Sequence, residues 1–171
     1  MVPPSLILLS AERNTGKTTA LRRWVEEWKQ SGLSVRGVLS IGVMRDGHKT
    51  GFDFHDIEDG DVFEAIRTVD AGRGDLDCGF SFDREAFATL TNRYLNRGGC
   101  DLMVIDEVGP FELRHHDGFL PVVEHYLQRT AIPLLIVVRP WCLHELVTMV
   151  DELLMKSGGG LIAGTAGTDL E

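Results

Sequence analysis

The stretch Ala11-Glu12-Arg13-Asn14-Thr15-Gly16-Lys17-Thr18 constrains this chain more than any other. An apolar run, Leu6-Ile7-Leu8-Leu9, precedes it, and a pattern with helical spacing follows. Strand, loop and helix in that order, with Gly-Lys-Thr at the helix start, form the context of a phosphate-binding loop of the Walker A kind. Such a loop turns backbone N–H groups toward phosphate oxygens, and the helix N-terminus adds the positive end of its dipole. Arg13, Asn14, Thr15, Gly16, Lys17, Thr18 and Thr19 are therefore the expected phosphate-contacting residues. Lys17 would reach the β- and γ-phosphates, Thr18 would hold Mg²⁺ through its hydroxyl, and Thr19 could donate one turn in. The loop opens on Ala11 where the strict pattern has glycine, and alanine is less free to adopt a positive φ.

The remaining composition bounds what surrounds that loop. The 171 residues suit one domain, with 43% hydrophobic and 25% charged residues as in soluble globular proteins. A formal net charge of −9 argues against an extended nucleic-acid surface or an anionic membrane face, while leaving room for a small basic phosphate site. The cysteines Cys78, Cys100 and Cys142 are odd in number, widely spaced and lack a CxxC pair, which fits free thiols in a reducing cytoplasm. Leu6 to Leu9 is too short to be an export signal or a membrane span.

Continuous apolar runs at Ser5–Ser10, Leu102–Ile105 and Leu134–Val138 predict strands buried on both faces, the mark of a parallel sheet. Ala20, Leu21, Trp24, Val25 and Trp28 form one stripe of a helix from Lys17 to about Ser31, capped by Gly32; the two tryptophans read as core. Val35–Val43 and Thr50–Ile57 predict a hairpin closed at Asp46-Gly47, with His48 and His55 facing solvent. Val62–Val69 fits a short strand or a helix, and Phe80 and Phe82 bracket a short strand. The turn 71–75 places Arg73 in a surface loop. Asp83 caps a helix running to about Arg97, and two more helices follow around Val122–Leu127 and Leu143–Leu154. Residues 1–156 form the expected domain, and the Gly-, Ala- and Thr-rich stretch 157–171 reads as a flexible tail in which Leu161-Ile162 could dock.

A second half of the site lies at the end of the strand Leu102–Ile105, which stops at Asp106-Glu107. An aspartate there acts as a Walker B carboxylate, in the crevice at the C-terminal ends of α/β strands. Asp106 and Thr18 are the expected Mg²⁺ residues; Glu107 is the candidate for orienting an attacking water. Arg139 ends another buried strand on the same rim if the sheet is parallel, which makes it a candidate for neutralising phosphate charge or else a surface ion pair; Arg13 is a second candidate. Glu112-Leu113-Arg114-His115-His116-Asp117 reads as a solvated loop near the crevice, because adjacent histidines rarely aim at one metal and Mg²⁺ prefers oxygen.

With both motifs placed, the chain resembles the small nucleoside-triphosphatase family, also called cancer-related NTPase and found in thermophilic microbes. The resemblance runs from about Leu6 to Arg139, and its most specific part is Val104-Ile105-Asp106-Glu107-Val108-Gly109-Pro110-Phe111-Glu112-Leu113, close to an Asp-Glu-Ile-Gly-Pro-Met-Glu-Leu stretch of the family. Gly51-Phe52-Asp53 and the Phe82-Asp83 to Phe87 segment are similar too. The resemblance implies Mg²⁺-dependent hydrolysis of ATP, GTP or other nucleoside triphosphates with loose base selectivity. It also implies a three-layer α/β fold of the P-loop NTPase kind. Its sheet would be mostly parallel with an antiparallel hairpin addition, of the additional-strand type, in which the Walker B strand is not next to the loop strand. The chain departs from the family at Ala11, in the loop interior Glu12-Arg13-Asn14-Thr15, and at Gly42 and Met44, where the family tends to carry Glu and Arg.

The expected function is hydrolysis of a nucleoside triphosphate, with Lys17 and Glu107 as catalytic residues. Two alternatives stand beside it. One is a small-molecule or nucleotide kinase, which would need an acceptor pocket and an arginine-rich lid for which Arg67 and Arg73 are sparse. The other is a nucleotide-binding switch in cofactor assembly. Oligomeric state and preferred nucleobase have no signature in the chain.

Overall fold

The computed structural model describes residues 5–10, 12, 15–68, 79–156 and 164–165. Ala11, Arg13, Asn14, Arg73, Cys78, Leu161 and Ile162 lie outside the described residues.

The strands are β1 (Leu6–Ser10), β2 (Val35–Arg45), β3 (His48–Asp56), β4 (Val62–Thr68), β5 (Phe80–Phe82), β6 (Leu102–Val108), β7 (Leu134–Val138) and β8 (Gly164–Thr165). The helices are α1 (Lys17–Gln30), α2 (Arg84–Asn96), α3 (Pro110–His115), α4 (Leu120–Arg129) and α5 (Pro140–Lys156). Among the described residues, all eight strands join one sheet in the order β5-β4-β3-β2-β6-β7-β1-β8. From β2 through β6, β7 and β1 the pairing is parallel, and β3, β4 and β5 extend it as an antiparallel meander. Strand β7 lies between β1 and β6.

The central strands are apolar on both faces because both faces are covered. Leu102, Val104, Leu135 and Val137 point to the side on which α1 packs through Leu21 and Val25. Met103, Ile105, Leu134, Ile136 and Val138 point to the other side, where residues of α2, α4 and α5 close the larger cluster. Trp24 and Trp28 pack half-buried against the α1 cluster, so they belong to the core stripe. The close pairing of β2 with β6 depends on Gly37. It has φ +124°, and a Cβ there would lie 1.8 Å from the Val104 carbonyl oxygen.

Local chemistry sets the remaining boundaries. Asp46 and Gly47 both take positive φ, 49° and 78°, and close the β2–β3 hairpin. The Asp83 carboxylate accepts hydrogen bonds from the Glu85 and Ala86 N–H groups and starts α2. Leu33 N–H reaches back to the Trp28 carbonyl beyond Gly32, which ends α1. Val62–Thr68 resolves as a strand because its register against β3 and β5 occupies both edges.

Three expectations change. The strand that was to stop at Asp106 continues to Val108. The stretch expected as a solvated loop, Glu112–Asp117, begins within α3, and Glu112 is buried. Within the expected tail, Gly164 and Thr165 pair in parallel with Ile7 and Leu8 of β1.

Candidate active site

The parallel strands put the C-terminal ends of β1, β6 and β7 on one rim, and a cleft of about 680 Å³ opens there. Its lining runs from Thr15–Thr19 and Arg22, past Glu107 and Arg139, to Lys49, Phe52 and Phe80 on the meander.

Gly16 stands at the N-cap of α1 with φ +81°. Nothing lies within 4 Å of where its Cβ would be, so the left-handed dihedral, not space, calls for glycine. Thr15 Oγ1 donates to the Glu12 carbonyl at 2.9 Å, and Lys17 Nζ donates to the same oxygen. Burial holds the Lys17 ammonium below the usual lysine range, against the pull of Glu107 and Asp106. The Thr15 and Lys17 side chains thus converge on one carbonyl, with the Glu107 and Asp106 carboxylates acting on Lys17.

Asp106 is buried beneath this loop and is not part of the cleft wall. Its carboxylate accepts from the Ser40 N–H at 3.1 Å and from the Thr18 side chain, while Ser40 Oγ donates to the Asp106 carbonyl at 2.6 Å. Burial pushes the Asp106 carboxyl up to about 7, and the Ser40 and Thr18 hydrogen bonds work in the opposite direction. Thr18 and Asp106, far apart in the chain, are therefore in direct contact.

Glu107 takes φ +88°, a conformation that costs a non-glycine residue about 1–3 kcal/mol. The β6–β7 register breaks between Ile105 and Val108, and within that break the positive φ falls on Glu107. The twist leaves Asp106 under the loop while Glu107 lines the cleft. Arg139, at the end of β7, places Nε and Nη2 on Glu107 Oε1. Its guanidinium also lies over the Trp141 ring, 5.4 Å from the centroid. Arg139 is thus an ion-pair partner of Glu107 at the cleft wall, and the pair is largely buried instead of lying on the surface.

Three contributors had little or no signal in the sequence. Ser40 is an ordinary strand serine until β2 lies beside β6. Lys49 follows the hairpin turn and reaches the cleft, its Nζ 4.9 Å from the Phe52 ring centroid. Glu112 sits inside the stretch singled out by resemblance, but only the fold buries it. Its Oε2 accepts from the Gly109 N–H at 3.0 Å, and burial raises its carboxyl to about 7. Among the described residues no cluster of three or more His, Cys, Asp or Glu could hold a metal, and His115 packs its ring 5.4 Å from that of Phe111. No described helix is long and apolar enough to cross a membrane.

A doubly covered sheet with a glycine-capped loop at the start of α1 and an acidic pair at the end of β6 defines an α/β protein of the P-loop class. A family model described as NTPase matches residues 6–157, and the chain belongs to that family. Nucleoside-triphosphatase THEP1 of Methanosarcina acetivorans is 27% identical over 124 residues, covering 71% of this chain and 69% of its own length. The THEP1 protein of Ignicoccus hospitalis is 34% identical over 113 residues, 63% of this chain and 61% of its own. These matches therefore span about two thirds of the relatives. Among solved structures, a human cancer-related nucleoside triphosphatase superposes with a TM-score of 0.67 at 23% identity, covering 86% of this chain and 85% of that one. THEP1 of Aquifex aeolicus superposes with a TM-score of 0.63 at 21% identity, covering 94% and 90%. Both likenesses are of fold.

Proposed function

We propose that this protein is a Mg²⁺-dependent nucleoside-triphosphatase that converts ATP, GTP and related triphosphates to diphosphate and phosphate with loose base selectivity. The observation that carries this reading is the meeting of Lys17, the Thr18–Asp106 contact and the Glu107–Arg139 pair on one rim of one cleft. Lys17 and the loop amides from Arg13 to Thr19 hold the phosphates. Glu107 orients the attacking water, and Arg139 stabilises charge on the transferring group; phosphoryl transfer asks mainly for such positioning and charge.

Thr18 and Asp106 suit Mg²⁺, since both offer oxygen and this ion binds through one or two protein groups while keeping several waters. When bound there, the ion would neutralise charge developing on the phosphate oxygens. The placement of β7 between the loop strand and the Asp106 strand supports the additional-strand type of sheet. A reducing cytoplasm suits the free thiols of Cys100 and Cys142.

Phosphate release from ATP, GTP, CTP and UTP tests the reading. Turnover should stop with a chelator and return with Mg²⁺. Absence of release from every triphosphate would remove the hydrolase reading.

A further inference from the structure

A second pocket opens beside the cleft, on the side away from the phosphate loop. Its walls are rings: Phe52, Phe54, Phe80, Phe82 and Phe111, with Ile66. Phe82 and Phe111 stack at 4.2 Å between centroids with 11° between planes, and Phe54 is backed by Phe87 at 4.7 Å and Phe119 at 5.1 Å. Phe52, Phe80, Phe82 and Phe111 remain only half-buried, although seven phenylalanines gather in this region.

Polar groups are confined to one end. Ser40, Glu107, Glu112 and Arg139 line it, and Ser40, Phe52, Phe80, Glu107 and Arg139 also line the phosphate cleft. The two spaces therefore meet at Glu107. An attacking water needs no aromatic chamber behind the carboxylate that orients it. An organic molecule does, since apolar walls with a few convergent polar groups are the usual makeup of a small-molecule site. The pocket measures about 70 Å³, roughly half the size of an engineered cavity that binds benzene, and shares Ser40, Glu107 and Arg139 with the cleft. That holds the apolar edge of a single ring, with the rest of the molecule lying in the adjoining cleft, and excludes a nucleoside.

We propose that this pocket seats a second substrate, a small uncharged alcohol bearing one ring, whose hydroxyl is presented at Glu107 as a phosphoryl acceptor. This rests on the proposed triphosphate site. The hydroxyl oxygen forms a bond to the γ-phosphorus as the bond from that phosphorus to the β–γ bridging oxygen breaks. The electron pair leaves with the nucleoside diphosphate, and the hydroxyl proton passes to Glu107. The products are a phosphate monoester and the diphosphate; hydrolysis is the same displacement with water in the alcohol's place.

The test uses 4-fluorobenzyl alcohol with the full chain. Nuclear Overhauser contacts should connect the probe to the Phe82 and Phe111 rings. Ile66→Phe, which fills the pocket from β4 without touching the phosphate loop, should weaken the probe roughly tenfold or more, the scale of added bulk in an apolar site. The same variant should leave phosphate release from the triphosphate unchanged. With Mg²⁺ and triphosphate present, the unmodified protein should form the fluorobenzyl phosphate monoester and Ile66→Phe should not. Absence of contacts to those rings, or equal binding by both proteins, overturns the pocket assignment, and the first readout needs no variant. A seated probe that yields only inorganic phosphate overturns the acceptor role. Ester formed without hydrolysis in the probe's absence supports the proposal and removes the hydrolase reading instead.

Discussion

Replacing Glu107 with glutamine separates binding from chemistry. The amide keeps the size of the side chain and can still accept from Arg139, but it removes the charge held at the cleft wall. A positioned acid–base group contributes about 10²–10⁴ in rate, or about 3–5 kcal/mol of barrier, so turnover should fall by that factor. Binding should move the other way. Glu107 is near enough to Lys17 to favour its charged form, so it also opposes an incoming phosphate. A unit charge about 6 Å away at an effective dielectric near 20 is worth about 3 kcal/mol before salt screening. Removing it, with Arg139 released from its anion, should leave triphosphate affinity equal or higher. Calorimetric titration with a non-hydrolysable triphosphate and phosphate-release kinetics on the same preparation give both numbers. A fall in turnover of less than about tenfold, or a parallel loss of affinity, would refute the assignment of Glu107 to the chemical step.

Lys17→Ala should weaken triphosphate binding by about 1.5–3 kcal/mol, the worth of a hydrogen bond to a charged group, with an unchanged circular-dichroism spectrum; unaltered affinity by titration would move the phosphate site elsewhere. Glu112 has a folded-state carboxyl raised to about 7 against an ordinary value of 4.5, so the folded protein holds that proton more tightly than the unfolded chain. Its stabilising contribution is therefore complete below pH 4.5 and is lost as pH rises toward 7. Denaturant melts at pH 5 and pH 8 should show a smaller drop for Glu112→Gln than for the parent. Gly37→Ala should cost more than about 4 kcal/mol, since its Cβ would sit 1.8 Å from the Val104 carbonyl oxygen in a φ +124° backbone; a melt within 1 kcal/mol of the parent, roughly the error of such comparisons, would contradict the close β2–β6 pairing.

What could be read from the chain is what neighbouring residues decide among themselves. The strand–loop–helix around Gly16, the Asp-Gly hairpin, the Asp83 cap and the doubly apolar runs of β6 and β7 follow from backbone dihedrals, capping and the spacing of apolar side chains. All of these act within a few residues. Lys17, Thr18 and Asp106 could be singled out because loop chemistry and strand ends carry local signals. Contacts across the sheet have no such signal. That Arg139 grips Glu107 depends on β7 lying between β1 and β6, an order set by which faces can be buried together. Glu112 reads as solvated because a carboxylate ordinarily keeps its water. It is buried because α3 turns it under Gly109, with Gly118 packed against its side chain. The Phe-lined pocket combines β3, β4, β5 and the start of α3, so its shape exists only once the meander has packed beside the acidic end of β6. Short-range sterics and hydrogen bonding specified the turn into α1 at Gly16. Long-range burial supplied the carboxylate's ion-pair partner and the aromatic chamber beside it.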